Sequence, residues 1–303
     1  MNLRDLDYIC AVADTGHFGQ AAELCHVSQP TLSGQIKKLE DYLGVPLFER
    51  ARSGAKLTDV GRDIVAVART IQADARRIKT IADTRKDPFS GTLSLGIIPT
   101  LAPNIIPLFV PKMSSSFPRL TSQFEEDQTP RLTERLLDSS LDLALLATPP
   151  DHDALTQVPV FSEPFWLAYP EGHAIGSADT LTLADIDVDA LMLLSEGHCL
   201  RDQVLELCAT TARPDHGLKA ASLDTLIKLT AATQAMTLVP ALAVEPEKFN
   251  AIGLSVRPID DPDAHRIVSL TFRRSLPRKS LVDGVAKLIV SNLPESVNPL
   301  YRI

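Results

Sequence analysis

Cys199 and Cys208 stand nine positions apart in SEGHCLRDQVLELC, residues 195–208. His198 precedes the first thiol; Arg201 and Asp202 follow it. A thiolate attacks peroxides and disulfides, and nearby cations or hydrogen-bond donors favour the thiolate. His198 and Arg201 are the sequence neighbours able to supply them. Attack on a peroxide yields a sulfenic acid, which a second thiol converts to a disulfide. If the intervening segment is helical, a rise of about 1.5 Å per residue puts the two Cα atoms roughly 13 Å apart. A disulfide spans about 4.4–6.8 Å between Cα atoms. Bonding then requires the helix to unwind or shift, with loop entropy worth roughly 2.5–3 kcal/mol. That is the scale of a typical allosteric coupling. Leu200, Val204, Leu205 and Leu207 are the side chains whose contacts would change.

The residues alone leave other readings open. Free cysteine is often simply buried. A thiol peroxidase would use the same chemistry. His198, Cys199, Cys208 and His216 have the types of a zinc site, but the adjacent ligands His198 and Cys199 converge poorly on one ion and no CxxC is present. No metal or cofactor is expected. Cys10 and Cys25 lie among apolar neighbours and read as packed and inert.

Elements that could position such a pair are legible along the chain. Its 303 residues exceed one ordinary core, so two or three domains are expected. With no long uninterrupted apolar run and no basic, hydrophobic leader, neither a membrane span nor a signal peptide is expected. Four cysteines are too few for a disulfide scaffold, so a reducing cytoplasm is the expected compartment. The net charge of −8 is uneven: residues 1–88 hold 13 Lys+Arg against 12 Asp+Glu, residues 89–303 hold 17 against 26. Indiscriminate nucleic-acid binding is thereby disfavoured, and two different jobs in one chain are permitted.

The first 87 residues read as nearly all helical, with helices at 18–25 and from Gln29 to Leu43 joined by a short turn. Ser28 caps the second, and Pro30 is tolerated in its first turn. Two helices with a polar second face suggest a helix-turn-helix. Gln29, Thr31, Ser33 and Gln35 can bond bases or phosphates; Lys37, Lys38, Arg50 and Arg52 can neutralise phosphates. Arg50, Arg52 and Lys56 surround a Ser53-Gly54 turn, which suggests a small hairpin. From Thr58 to about Arg85 a second long helix is expected. Its Val65, Ala68, Ile71, Ala75, Ile78 and Ala82 form a stripe suited to pairing with another chain. After Pro88, strands GTLSLGIIP, LDLALLATPP, FWLAYP, LMLLS and RIVSLTFRR alternate with helices such as 129–139, 200–210 and 280–292. That alternation predicts α/β architecture with parallel sheets. Trp166 reads as packing at a crossover between subdomains.

The stretch HFGQAAELCHVSQPTLSGQIKKLEDYLGVPLFER resembles, without a gap, the winged helix-turn-helix signature of LysR-type transcriptional regulators. The resemblance implies a DNA-binding domain at 1–58, with a recognition helix at about 29–42 and a wing at about 49–57. Ser28 and Pro30 join the DNA-contacting residues on that ground. It also implies a linker and dimerisation helix at 59–88 and an effector domain at 89–303 like a periplasmic binding protein. Subdomain I would comprise about 89–163 and 267–303, and subdomain II about 164–266. Implied partners are double-stranded promoter DNA, further copies in a homotetramer built as a dimer of dimers, and RNA polymerase.

Within the family, LMLLSEGHCLRDQVLELC is most similar to the hydrogen-peroxide-sensing branch. GIIPTLAP, EEDQTPRL and AHRIVSL match that branch around Thr100, Thr129 and Arg266. Cys199 would then be the attacking thiol and Cys208 the resolving one. Thr100, Thr129, His198, Arg201, Asp202 and Arg266 would surround the peroxide, and a thiol reductant such as glutaredoxin would reset the pair. Most family members instead bind a small metabolite. A metabolite regulator, with Thr100, Thr129 and the Cys199 region lining an ordinary ligand cleft, is the alternative.

Overall fold

A computed structural model describes residues 1–51, 54–84, 87–208 and 220–302, without the side chains of residues 50–51, 76–77 and 79–84. Arg52, Ser53, Arg85 and His216, and the side chains of Arg50 and Ala82, lie outside the described residues. The chain divides into two units, Met1–Ala82 and Asp83–Ile303.

The first unit begins with α1 (Leu3–Thr15), α2 (Phe18–Leu24) and α3 (Gln29–Leu43). Asn2 and Asp5 cap α1 reciprocally, and Ser28 accepts from the Thr31 N–H at the start of α3. Leu32, Ile36 and Leu39 recur at helical spacing and are buried with Ile9, Val12 and Leu47. Each such side chain contributes about 1.5–3 kcal/mol by leaving water. Burying that stripe leaves Gln29, Pro30, Thr31, Lys37 and Lys38 exposed, with Ser33 and Gln35 half-buried. Strands β1 (Phe48–Ala51) and β2 (Gly54–Leu57) pair antiparallel. Glu40, within α3, anchors this hairpin: Oε1 accepts from Leu47 and Phe48 N–H at 2.7 and 3.2 Å.

Helix α4 (Asp59–Thr84) has 26 residues, roughly 39 Å of helix. Its apolar stripe serves two ends. Val65 and Ala68 are buried in the first unit's own core, whereas Ile71 and Ile78 are 38% and 72% exposed.

The second unit contains β3 (Gly91–Ile97), α5 (Ala102–Ser116), β4 (Leu120–Glu126), α6 (Thr129–Leu137), β5 (Leu143–Leu146), β6 (Leu155–Pro170) and α7 (Cys199–Leu207). There follow α8 (Leu223–Thr233), β7 (Thr237–Pro240), α9 (Pro246–Asn250), β8 (Leu254–Pro258), β9 (His265–Arg273), α10 (Lys279–Val290) and β10 (Asn298–Pro299). The sheet order is β10-β6-β9-β5-β3-β4, with β7 and β8 also pairing β6.

The expectation of parallel sheets is corrected. β3 pairs parallel with β4 and β5, but β9 runs antiparallel to β5 and β6, and β7 and β8 run antiparallel to β6. The outgoing strand β6 and the returning strand β9 lie side by side, so they must oppose in direction. LMLLS is also not a strand: Leu191 and Leu194 make single bridges to Met236 and Ala220. FWLAYP is only the end of β6, which starts at Leu155.

Strand β6 exchanges partners midway. Through Pro164 it pairs β9; from Phe165 and Trp166 onward it pairs β7 and β8. One core, with Ile97, Phe109 and Phe161, lies on the first side of this exchange; a second, with Phe165, Leu167 and Leu254, lies on the other. Half-buried Trp166 touches both cores. Residues alternate faces along a strand, so Phe161, Glu163 and Phe165 share one face. A carboxylate is thus built into the buried seam between the cores. No helix among the described residues is long and apolar enough to cross a membrane.

Candidate functional site

Cys199 is the first residue of α7 and Cys208 closes its other end. Both are free thiols and both are half-buried. They face different surroundings. Cys199 packs against the first core, Cys208 against the second, together with Leu205 and Leu207. Leu200 and Val204, each 2% exposed, fix the helix in the second core. With α7 intact, about 1.5 Å per residue keeps the Cα atoms roughly 13 Å apart, so the observed conformation cannot hold the disulfide.

Three chain segments meet at Cys199. The turn after β3 brings Ile98, Pro99 and Thr100; the start of α6 brings Gln128 and Thr129; Gly197 and His198 precede the thiol. They enclose about 10 Å³ for the centre of a water-sized molecule, room for one very small ligand. Gly197 makes the turn possible. Its φ of +92° strains any L side chain, and a Cβ there would meet Gln128 Oε1 at 2.6 Å.

The polar groups are arranged around that space. Thr129 Oγ1 is buried beside the thiol and has no well-formed hydrogen bond, although its nearness to the sulfur favours the thiolate. Thr100 is 3% exposed, and its Oγ1 accepts from Arg266 Nη1 at 2.8 Å. Arg266 comes from β9, directly across the ladder from Glu163 of β6. Glu163 Oε2 accepts from Arg266 Nε and lies 2.8 Å from Nη2; Glu163 Oε1 accepts from the Leu242 N–H at 2.9 Å. Both side chains of this pair are 0% exposed. Gln203 of α7 donates to the Ala147 carbonyl at 2.7 Å, tying the helix to the end of β5.

His198, buried, lines the cavity with Thr100 and Thr129. Arg201 does not reach it. Its Nη1 donates to the Leu194 carbonyl at 3.1 Å, so it steadies the turn before α7. Asp202 is exposed, and its charge opposes the thiolate. The cation that acts on Cys199 is Arg266, brought from more than sixty residues away by β-pairing. Glu163 was not among the residues singled out from the sequence. A signal for it existed: an acidic residue in phase with Phe161 and Phe165, opposite an arginine in phase with Val268 and Leu270.

A depressed thiol pKa is not what this environment produces. Burial pushes the Cys199 thiol up; Arg266, Thr129 and the Leu200 N–H pull it down without prevailing. Cys208 is pushed up by burial as well. Among thiols so raised, the thiolate is a minority at neutral pH and grows tenfold per pH unit. Alkylation of Cys199 by iodoacetamide is therefore expected to rise about tenfold per unit between about pH 6 and 8. A plateau in that range, read by peptide mass spectrometry, would contradict the burial effect.

Cys10 is buried, and burial and then Asp7 push the Cys25 thiol up against the opposing Arg4. No cluster of three or more His, Cys, Asp or Glu among the described residues has the arrangement of a metal site. A larger cleft of about 440 Å³ in the second unit, between the start of α5, α8 and α9, shares Pro99 with the cavity beside Cys199 and touches neither thiol.

Residues 3–62 match the bacterial regulatory helix-turn-helix protein family of lysR type, and residues 86–294 match the LysR substrate binding domain. The chain is 39% identical over 290 residues to the DNA-binding transcriptional dual regulator OxyR of Escherichia coli K12, covering 95% of each. It is 38% identical over 303 residues to a hydrogen peroxide-inducible genes activator of Pectobacterium carotovorum, covering 100% of each. Its fold is similar to full-length OxyR C199D from Pseudomonas aeruginosa, with a TM-score of 0.77, 35% identity and coverage of 97% of this chain and 99% of that one.

Proposed function

This chain belongs to the LysR family of bacterial DNA-binding regulators, and on that premise we propose that it is a peroxide-responsive transcription factor whose switch is the Cys199–Cys208 pair. The observation that carries this reading is one helix with a thiol at each end. One thiol faces a cavity sized for a single tiny molecule, the other a separate core.

In the first step the Cys199 thiolate bonds one peroxide oxygen and the O–O bond breaks. The departing hydroxide takes a proton and leaves as water, with Thr100, Thr129 and His198 as the neighbouring polar groups. Sulfur is oxidised to sulfenic acid and the peroxide is reduced. In the second step the Cys208 thiolate attacks that sulfur, a disulfide forms, and the sulfenic oxygen leaves as water after taking a proton. Because α7 cannot span the bond, its contacts must change, and that change is the signal. Two thiols of a reductant such as glutaredoxin return the pair to its starting state.

The readout is DNA. Gln29, Thr31, Ser33 and Gln35 on α3 are the base- and phosphate-bonding set, with Ser28 and Pro30 at its start. Lys37, Lys38, Arg50 and Arg52 neutralise phosphates. The exposed part of the α4 stripe, Ile71 and Ile78, suits pairing with a second copy, and a dimer of dimers would present heads to successive half-sites. Contact with RNA polymerase and a cytoplasmic location belong to the same reading.

The test is mass spectrometry on the reduced chain given equimolar hydrogen peroxide. A Cys199–Cys208 disulfide is expected, with sulfenic acid at Cys199 in Cys208→Ser. No reaction, or a Cys10–Cys25 bond instead, would overturn the proposal. The 440 Å³ cleft is large enough for a metabolite and favours that alternative. DNA binding that follows a metabolite and ignores peroxide would select it. Repeated turnover with a reductant, without an effect on DNA binding, would select a peroxidase.

A further inference from the structure

Among the described residues Glu163 is the one fully buried carboxylate in contact with the machinery around Cys199, and the chemistry above leaves it without a task. It has two hydrogen-bonding partners, Arg266 Nε and the Leu242 N–H, and an ion-pair contact at 2.8 Å to Arg266 Nη2. With Nε held by Glu163 and Nη2 donating to the Thr100 carbonyl at 3.4 Å, the guanidinium plane is set, and Nη1 donates to Thr100 Oγ1 at 2.8 Å. Thr100 Oγ1 is then an acceptor on its Arg266 side, which leaves its own proton to be donated into the cavity. Glu163 is thus the first member of a chain of contacts, Glu163 to Arg266 to Thr100, that ends at the cavity beside Cys199.

The same carboxylate has an electrostatic consequence. Among the described residues, the charged groups acting on Cys199 are Arg266 of β9 and Asp202 of α7; Thr129 of α6 and the Leu200 N–H lie beside the sulfur and favour the thiolate, and His198 lines the same cavity. Arg266 is the single cation in that set. Its charge is shared with a carboxylate at 2.8 Å, inside a seam where both side chains are 0% exposed. In so little water, opposite charges at contact cancel most of each other's field at a third site.

We infer that Glu163 is a positioning residue that sets the oxidation threshold: it aims Arg266 at Thr100 and withholds part of the guanidinium charge from the Cys199 thiol. This inference deepens the peroxide-sensing reading and rests on it.

The experiment is an alkylation titration of the full chain, with the Cys199 peptide followed by mass spectrometry from acid to alkaline pH. Glu163→Gln keeps the shape and one of the two acceptor oxygens and removes the charge. Its profile is expected to move at least about one unit toward acid, raising the neutral-pH thiolate fraction about tenfold. Because a lower pKa also weakens the nucleophile, with a Brønsted slope of about 0.4–0.5, peroxide oxidation should rise only about threefold. Glu163→Asp keeps the charge but draws it back by one methylene, so a smaller shift in the same direction is expected; it carries the test if the glutamine variant does not fold. An unchanged or alkaline-shifted profile in either folded variant would overturn the inference. Alkylation needs no peroxide, so a parent chain that titrates as expected yet ignores peroxide would count against the sensing reading and not against this one.

Discussion

Arg266→Met is expected to be the most damaging single change in the second unit, costing roughly 3–5 kcal/mol because it leaves Glu163 as an uncompensated buried charge. Glu163 is 0% exposed and would keep only the Leu242 N–H. With about 2 kcal/mol per molar for the urea dependence, the unfolding midpoint should fall by about 2 M. The double variant Glu163→Met with Arg266→Met removes both charges and should recover most of the loss. That recovery separates the ion pair from the mere loss of a long side chain. The single variant should also react with peroxide more slowly than the parent, since the one cation among the described residues that lowers the Cys199 pKa is gone. A single variant as stable as the parent would sink the claim that the seam between the cores holds a coupled, water-free pair.

Leu200→Ala should change the redox equilibrium itself. Leu200 is 2% exposed and packs in the second core, so truncation costs the observed conformation about 2–5 kcal/mol. If closing the disulfide already surrenders those contacts, the oxidised form loses nothing further. Destabilising only the dithiol makes the disulfide easier to form, so its midpoint potential moves to more negative values. At about 30 mV per 1.4 kcal/mol the shift is about 40–110 mV. Val204→Ala should act in the same direction by a smaller amount. Leu254→Ala in β8 is the control: it is 0% exposed in the same core but lies outside α7, so it should weaken both forms alike and leave the potential in place. A redox titration against glutathione reads all three. If the Leu200 variant behaves like the Leu254 control, α7 keeps its packing on oxidation and the switch lies elsewhere.

Local chemistry was plain from the chain. Helix α3 follows from Ser28, Pro30 and the Leu32, Ile36 and Leu39 stripe, because capping and a 3.6-residue period act within a few residues. The helix between the two cysteines, and hence the distance the disulfide has to overcome, likewise comes from short-range signals and the fixed rise of a helix. Partnership of strands was less legible. Parallel pairing was expected from the alternation of strand and helix, but the direction of β9 depends on where the chain goes between residues 171 and 264. No local pattern records that path.

The cation at the thiol marks the same boundary. From position alone, Arg201 was the natural candidate, two residues from Cys199. Helical geometry instead carries its side chain to the Leu194 carbonyl, and Arg266 arrives on a neighbouring strand already bound to Glu163. Burial and charge depend on everything within a few ångströms, whatever its place in the chain. The sequence by itself thus determined which atoms could react and how far apart a helix would hold them. Tertiary structure alone decided how reactive the first thiol is, because it chose which groups exclude water from that sulfur and which charge faces it.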